Sequence, residues 1–199
     1  MPRSFGLTWD YRCPYGRIAH DHVVTGLLGG ADWDVTFLPF CLGQPHVEPG
    51  MPPIWETPHL DSGILALQVG IAARDTDPEK FLRFHHATFE YRHTRAGNLN
   101  DRRALGEMLA AAGFDSDEIF ALVDTGRPLA TIGEEHSRYV QSHDVWGVPT
   151  FVVCDKAVFV RLLDLASGNA ALAIDTVERI LDNIDWDILN EFKHTSVPR

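Results

Sequence analysis

The sequence predicts an α/β fold in which a β-α-β unit and a β-β-α unit are separated by a long helical segment. Apolar, aromatic and β-branched runs typical of buried strands lie near the two ends of the chain. Between them, from Thr57 to about His143, helix-capping signals recur and no strand pattern is seen. Hydrophobic residues make up 45% of the 199 residues, which is enough for a sizeable core.

The N-terminal segment has the pattern of a β-α-β unit. Phe5–Asp10 is a short apolar and aromatic run, which predicts a buried strand. From Tyr15 onward, apolar residues recur at helical spacing until the pair Gly29-Gly30 ends the helix. The following run WDVTFLPFCL is again rich in β-branched and aromatic residues. The unit therefore implies two parallel strands joined by a helix.

A proline-rich loop follows the second predicted strand. Five prolines fall within GQPHVEPGMPPIWETP, Gly43 to Pro58, and so many prolines exclude regular structure. Beyond it, Thr57-Pro58 and Asp77-Pro78 are each an N-cap residue followed by proline at the first helical position. About five helices are predicted in this segment, since further start signals stand at Asn100-Asp101, Asp115 and Pro128.

The C-terminal part predicts a β-hairpin and a last helix. Two β-rich runs, Thr150–Cys154 and Ala157–Leu162, are separated by Asp155-Lys156, and an amphipathic pattern follows from Gly168 to about Asp185. With the helical insert set aside, the third strand can lie antiparallel beside the first. We therefore predict a thioredoxin-like fold formed by residues 1–56 and 144–199, with an inserted all-helical subdomain at residues 57–143.

Cys13 is the candidate catalytic residue. In TWDYRCPYGRIAHDHV it stands after the first strand and at the start of the first helix, where unpaired N–H groups and the helix dipole favour a thiolate. Pro14 suits the first helical turn because its missing N–H costs nothing there. Arg12 and Arg17 are expected to add positive charge nearby. The alternative is a loop cysteine without a chemical task.

Val148 and Pro149 open the third predicted strand, within the sequence GVPT. A proline is tolerated at the start of a strand. In thioredoxin-like folds this position holds a cis-proline facing the cysteine, so a cis peptide bond is expected, with an ordinary trans proline as the alternative. The backbone of Val148 is then expected to pair with an extended thiol ligand or peptide.

These motifs together resemble one family. CPYG after the first strand, the helical insertion, WGVPTFVV and the C-terminal NEFKHTSVPR are similar to the DsbA-like branch of the thioredoxin superfamily. This branch includes kappa-class glutathione transferases, 2-hydroxychromene-2-carboxylate isomerases and mycothiol-dependent reductases. The resemblance implies a thiol-disulfide oxidoreductase whose substrate site around Cys13 is lined by Pro14, Tyr15, Gly16, Val148 and Pro149.

The chain departs from this family at Gly16, where many relatives have the second cysteine of a Cys-x-x-Cys pair. Cys13 therefore has no partner within its motif, and an outside thiol must resolve its mixed disulfide. The resemblance implies mycothiol or glutathione as this low-molecular-weight thiol cofactor. Two alternatives remain open: a transferase- or isomerase-like enzyme in which the bound thiol itself reacts, and a non-catalytic binding protein.

The other two cysteines and one loop histidine need separate explanations. Because parallel strands end on the same side, Cys41 is expected near the active end; burial explains it more readily than resolution of Cys13, and that choice is left open. Cys154 is expected in the core. His46, in the proline-rich loop, is a candidate for the wall of a substrate pocket.

The histidines and tryptophans complete the candidate list. His86, Glu90 and His93 share one helical face, but aromatic residues surround them and no HExxH motif occurs, so a mixed polar face is preferred and no metal site is predicted. His136 is expected in solvent. Trp146 is expected in the core more readily than in a substrate pocket.

The composition and termini suggest the setting. Acidic residues number 28 and basic residues 17, so the sequence lacks the basic surface of a nucleic-acid binder. The N-terminus has no apolar signal-peptide run, and no stretch reaches the ~18 apolar residues of a spanning helix. We therefore expect a cytoplasmic protein whose partners are a small thiol and a small-molecule or disulfide substrate, without nucleic acid or membrane. A homodimer is left open.

Overall fold

The computed structural model describes residues 2–189, in which a four-stranded mixed sheet is flanked by helices. The strands are β1 (Arg3–Trp9), β2 (Trp33–Pro39), β3 (Thr150–Val153) and β4 (Lys156–Phe159), in the order β2-β1-β3-β4. Strand β1 runs parallel to β2 and antiparallel to β3. The predicted thioredoxin-like α/β arrangement is confirmed.

Two helices that contact the sheet also pack against each other. Helix α1 (Pro14–Leu28) connects β1 to β2, and helix α7 (Ala170–Asp185) packs against α1. Apolar residues of α7 recur at helical spacing, which gives it one buried face. The residues on this face are Ala173, Val177, Leu181 and Ile184.

The segment between β2 and β3 contains five α-helices, as predicted. They are α2 (Ile64–Thr76), α3 (Pro78–Thr94), α4 (Arg102–Ala112), α5 (Ser116–Asp124) and α6 (Arg127–His143). The predicted start at Thr57-Pro58 is wrong, because Pro58–Leu60 forms only a 3₁₀ turn and α2 begins at Ile64. Three starts are capped by aspartate side chains that accept backbone N–H groups: Asp77, Asp101 and Asp115.

The aromatic core joins the inserted helices to the sheet. The ring of Trp9 on β1 lies 6.0 Å from that of Phe81 on α3, and the ring of Phe37 on β2 lies 5.2 Å from the same phenylalanine. The five inserted helices and the strands therefore share one buried cluster. The division at residues 57–143 stays a prediction about chain organisation.

Two expectations of burial are wrong at the β3–β4 hairpin. Cys154 is exposed because it lies in the two-residue turn between Val153 and Lys156, with a φ of 53° in the left-handed region. The Trp146 side chain is 67% exposed. It precedes β3 outside the sheet layer, and its ring lies 4.5 Å from that of Phe159 on the edge strand.

Two further expectations concern the C-terminal segment and membrane-spanning helices. The C-terminal NEFKHTSVPR, which contributes to the family resemblance, lies outside the described residues. From residue 2 to residue 189, no helix combines the length and the apolar character needed to cross a membrane.

Candidate functional site

Cys13 is the N-cap residue of α1, directly after β1. Its Sγ accepts a hydrogen bond from the Gly16 N–H at 3.2 Å, and its own N–H donates to the Asp10 carbonyl at 3.0 Å. These two contacts fix the turn between strand and helix. The thiol is nearly buried, with 8% of the residue exposed. The sulfur therefore lies at the start of a helix, inside the protein surface.

The loop before β3 meets the thiol of Cys13. The Sγ of Cys13 donates a hydrogen bond to the Val148 carbonyl, at a distance of 3.3 Å. The Val148–Pro149 peptide bond is cis, and both of these residues are buried. The structure thus brings together two segments that are far apart in the sequence.

Strand β1 holds this loop in place through hydroxyl groups. The Gly147 carbonyl accepts hydrogen bonds from Thr8 Oγ1 at 3.2 Å and from Thr150 Oγ1 at 2.8 Å. The Thr150 N–H donates to Thr8 Oγ1 at 2.8 Å. Because these groups are buried, the bonds hold Gly147 and Thr150 on either side of Val148 and Pro149, and so fix the loop whose Val148 carbonyl contacts the thiol.

The surroundings of the sulfur oppose the thiolate that is expected at the helix start. Burial raises the pKa of Cys13 above that of an ordinary thiol. The N–H groups of Gly16 and Tyr15 lower it, the nearby charge of Asp10 raises it, and the positive charge of Arg161 lowers it. Burial is the largest of these effects, and the net effect favours the protonated thiol, which donates to the Val148 carbonyl.

The two arginines expected to add charge are already paired. Arg12 donates to Asp61 at 2.7 Å and, through Nε, to Asp10 at 2.9 Å. Arg17 forms an ion pair with Glu90 on α3. The carboxylates neutralise both guanidinium groups, and the positive charge near Cys13 has to come from another part of the chain.

Arg161 supplies this charge and is the residue that sequence reasoning missed. It follows β4, where the Val160 N–H donates to the Pro149 carbonyl at 3.1 Å. Its guanidinium lies 3.9 Å from the ring centroid of Tyr15 and hydrogen-bonds to the Tyr15 hydroxyl. No local motif marks this arginine, because only the hairpin pairing brings it to the start of α1.

The remaining predicted site residues differ in their positions. Pro14 is exposed and Tyr15 half-buried on the first turn of α1, whereas Gly16 is buried. A Cβ placed on Gly16 would lie 3.2 Å from the Cys13 Cβ. His46 is exposed in the 3₁₀ turn Gln44–His46. Across residues 2–189, no hydrogen bond or ion pair joins His46 to Cys13, so its binding role stays a prediction.

Cys41 is buried beside acidic groups. Burial raises the pKa of its thiol to about 11, and the charges of Asp61 and Asp10 add to the effect. Its backbone N–H donates to Nδ1 of His136 at 3.2 Å. The expectation that His136 is solvated is wrong, because the packing of α6 against β2 buries it. The His136 ring lies 4.4 Å from the ring of Phe40.

A chain of buried hydrogen bonds lies beneath α1. Tyr11 O–H donates to His85 Nδ1 at 2.9 Å, His85 Nε2–H donates to His20 Nδ1 at 2.9 Å, and His20 Nε2–H donates to the Thr8 carbonyl at 3.0 Å. Burial lowers the pKa of His20 to about 4 and that of His85 well below its usual value, so both rings are neutral at pH 7. With neutral rings the direction of the chain is fixed, because the Thr8 carbonyl can only accept.

The polar face of α3 is occupied by other contacts. His86 pairs with Asp21 on α1 at 3.0 Å, and His93 Nε2 donates to the Tyr11 carbonyl at 2.9 Å. In the part of the chain that the structure describes, no three His, Cys, Asp or Glu side chains are arranged to hold a metal ion. These histidines connect the inserted helices to α1 and β1.

Comparison with known proteins identifies the fold. No protein-family model and no curated protein sequence match this chain. Among solved structures, the cytosolic disulfide reductase DsbM from Pseudomonas aeruginosa with GSH is 16% identical, with a TM-score of 0.61 over 90% of this chain and 99% of DsbM. A thioredoxin-like oxidoreductase from Silicibacter pomeroyi is 21% identical, with a TM-score of 0.58 over 90% of this chain and 86% of that one.

A third solved structure agrees with these two. MdbA, a thiol-disulfide oxidoreductase from Actinomyces oris, is 17% identical, with a TM-score of 0.61 over 87% of this chain and 80% of MdbA. The fold is therefore that of the DsbA-like thioredoxin-like oxidoreductases. At such identities the likeness extends to the fold and leaves the reaction to be argued from the site.

Proposed function

We propose that this protein is a thiol-disulfide oxidoreductase in which Cys13 is the only catalytic thiol and an outside thiol resolves its mixed disulfide. One observation carries the proposal: the Cys13 Sγ lies at the start of α1 and 3.3 Å from the Val148 carbonyl, beside Pro149. Two structural neighbours support the proposal: DsbM is a disulfide reductase and MdbA is a thiol-disulfide oxidoreductase.

The first step requires that Cys13 loses its proton. The Gly16 N–H that already donates to Sγ stabilises the thiolate once it forms. The thiolate then attacks one sulfur of the substrate disulfide, a Cys13–substrate disulfide bond forms, and the other half of the substrate leaves as a thiolate. Loss of the Cys13 proton also frees the Val148 carbonyl to accept an N–H group of the substrate.

The second step requires a thiol from outside the protein. Glycine occupies position 16, and Cys41 is buried with a pKa of about 11, so neither position offers a ready thiolate. An external thiolate attacks the substrate sulfur of the mixed disulfide. The bond to Cys13 breaks, Cys13 leaves as a thiolate, and the external thiol ends in a disulfide with the substrate fragment.

The proposed setting is the cytoplasm, with glutathione or mycothiol as the external thiol and a small disulfide as the substrate. Cys13, Cys41 and Cys154 are all free thiols, which is usual in a reducing compartment. DsbM is described as a cytosolic disulfide reductase, and its structure contains GSH. Both features support the proposed setting and thiol.

A second candidate function is supported by the proton on Cys13. A neutral thiol is a hydrogen-bond donor, and a kappa-class transferase-like site needs a donor that holds the sulfur of a bound thiol. In that case the bound thiol itself attacks an electrophile and Cys13 is not oxidised. The products separate the two: a transferase forms a thioether, whereas the oxidoreductase leaves one external thiol in a disulfide with the substrate fragment. A second external thiol then cleaves that disulfide, so two thiols are oxidised for each substrate disulfide that is fully reduced.

The proposed single-thiol reaction predicts that the other cysteines are dispensable. We expect the Cys41→Ser/Cys154→Ser double variant to reduce bis(2-hydroxyethyl) disulfide with glutathione within about twofold of the wild-type rate. Serine at position 41 keeps a donor toward Asp61, and position 154 is exposed. The measurement is steady-state consumption of glutathione, coupled to its regeneration.

The single variant Cys154→Ser is the matched control, since it changes only an exposed turn residue. Thermal unfolding of each variant separates lost chemistry from lost structure. If the folded double variant loses turnover while Cys154→Ser retains it, Cys41 is the resolving thiol and the proposal of an outside thiol fails.

A further inference from the structure

The environment of Arg161 distinguishes it from the other arginines near the site. Within residues 2–189 its guanidinium forms no ion pair with a carboxylate; it contacts the ring and hydroxyl of Tyr15. Arg12 and Arg17, in contrast, are held by Asp and Glu side chains. Arg161 is also exposed to solvent. Its charge is therefore available to a ligand that approaches the thiol.

The position of Arg161 directs that charge toward the reacting sulfur. Tyr15 stands two residues after Cys13 on the first turn of α1, so a cation stacked on its ring lies near the thiol, and its charge acts on Cys13. The Val160 N–H bond to the Pro149 carbonyl anchors the backbone next to Arg161 at the cis-proline that follows Val148. The chain as a whole has a formal charge of −11, which otherwise repels anions.

We propose that Arg161, stacked on Tyr15, binds a carboxylate of the external thiol, so that the protein prefers an anionic thiol of the glutathione type over a thiol without a carboxylate. A guanidinium presents two parallel N–H groups that match a carboxylate, and the bond to the Tyr15 hydroxyl uses only one of the N–H groups of Arg161. The inference rests on the proposed function and deepens it by naming the class of thiol.

The step affected is formation and cleavage of the disulfide between Cys13 and that thiol. The Cys13 thiolate attacks glutathione disulfide, one glutathione leaves as a thiolate, and the other stays bonded to Cys13. Arg161 takes no part in these bonds. It positions the attacking or leaving thiol by holding the carboxylate, so its effect depends on whether that carboxylate is charged.

The test compares two disulfides, one with free carboxylates and one with every carboxylate esterified. The rate of mixed-disulfide formation at Cys13 is measured by intact mass with glutathione disulfide and with the disulfide of glutathione diethyl ester. We expect the wild-type protein to react with the acid about fivefold faster than with the ester. In Arg161→Gln we expect this ratio to fall to about one. In Arg161→Lys we expect a ratio between that of Arg161→Gln and that of the wild type, because lysine keeps the positive charge but lacks the two parallel N–H groups.

Arg103→Gln is the matched control, because Arg103 is an exposed arginine on α4 that pairs with Glu107. It should keep the wild-type ratio. The ratio also cancels any change in the ionisation of Cys13, which affects both disulfides alike. If Arg161→Gln keeps the wild-type ratio, the inference is overturned while adduct formation at Cys13 still supports the proposed function. If neither disulfide forms an adduct at Cys13, both are overturned.

Discussion

Replacement of Cys13 by serine is expected to lower the rate of disulfide reduction at least about a thousandfold, because it removes the nucleophile of the proposed reaction. The fold is expected to persist. Cys13 is the N-cap of α1 and its sulfur accepts the Gly16 N–H, and serine is a preferred N-cap that makes the same contact. The measurement is turnover of bis(2-hydroxyethyl) disulfide with glutathione.

Cys13→Ala is the companion variant. It lacks the cap, so it should be less stable than Cys13→Ser by about 1 kcal/mol and equally inactive. Equal inactivity with unequal stability separates the chemical role of the sulfur from its structural role. Turnover by Cys13→Ser near the wild-type rate would rule out Cys13 as the nucleophile.

Lowering the pH from 7 to 5 is expected to remove about 4 kcal/mol from the free energy of unfolding, about 2 kcal/mol for each of His20 and His136, and His85 adds a further loss in the same direction. Burial lowers the pKa of His20 and His136 to about 4 and that of His85 well below its usual value. The loss is comparable with the whole stability of many domains. The measurement is urea unfolding at pH 7, 6 and 5.

The direction of this pH effect follows from which state of the chain, folded or unfolded, binds more protons. In the unfolded chain these histidines take up protons as the pH falls through ~6.5, whereas in the folded chain they stay neutral down to about pH 4. Their stabilisation is present above the unfolded pKa and is lost as the pH falls through that window. His86 opposes the effect, because its bond to Asp21 raises its pKa, but its side chain is 42% exposed and the contribution is screened.

His136→Asn tests the contribution of one ring. The asparagine Oδ1 can accept the Cys41 N–H as Nδ1 does, and it does not titrate. The fall in stability between pH 7 and pH 5 should shrink by about 2 kcal/mol relative to wild type. His59→Asn, at an exposed position, should leave it unchanged. A wild-type stability that is the same at pH 7 and pH 5 would contradict this account.

The order of helices and strands could be predicted because local patterns determine it. Strand runs at both ends, prolines at helix starts and aspartate caps each act within a few residues. Burial of single residues could not be predicted in the same way. Cys154 and Trp146 carry apolar side chains, yet a turn and a sheet edge expose them, and His136 is polar but the packing of α6 against β2 buries it.

The site was predictable to the same extent. Cys13 and Val148-Pro149 are marked by local motifs, and the structure brings them together. The ionisation of the thiol could not be predicted, because it depends on burial and on the charges of Asp10 and Arg161, which lie in separate segments of the chain. The position of Arg161 over Tyr15 and the hydrogen-bond chain through His85 likewise arise from contacts between distant parts of the chain.

The most direct test of a single working thiol is intact-mass analysis of the Cys154→Ser protein after treatment with glutathione disulfide and then with excess glutathione. We predict one glutathionyl adduct, located on Cys13 by peptide mapping, which the added glutathione removes to restore the free thiol. A disulfide between Cys13 and Cys41 in place of the adduct, or a Cys13 that stays unmodified, would contradict the account.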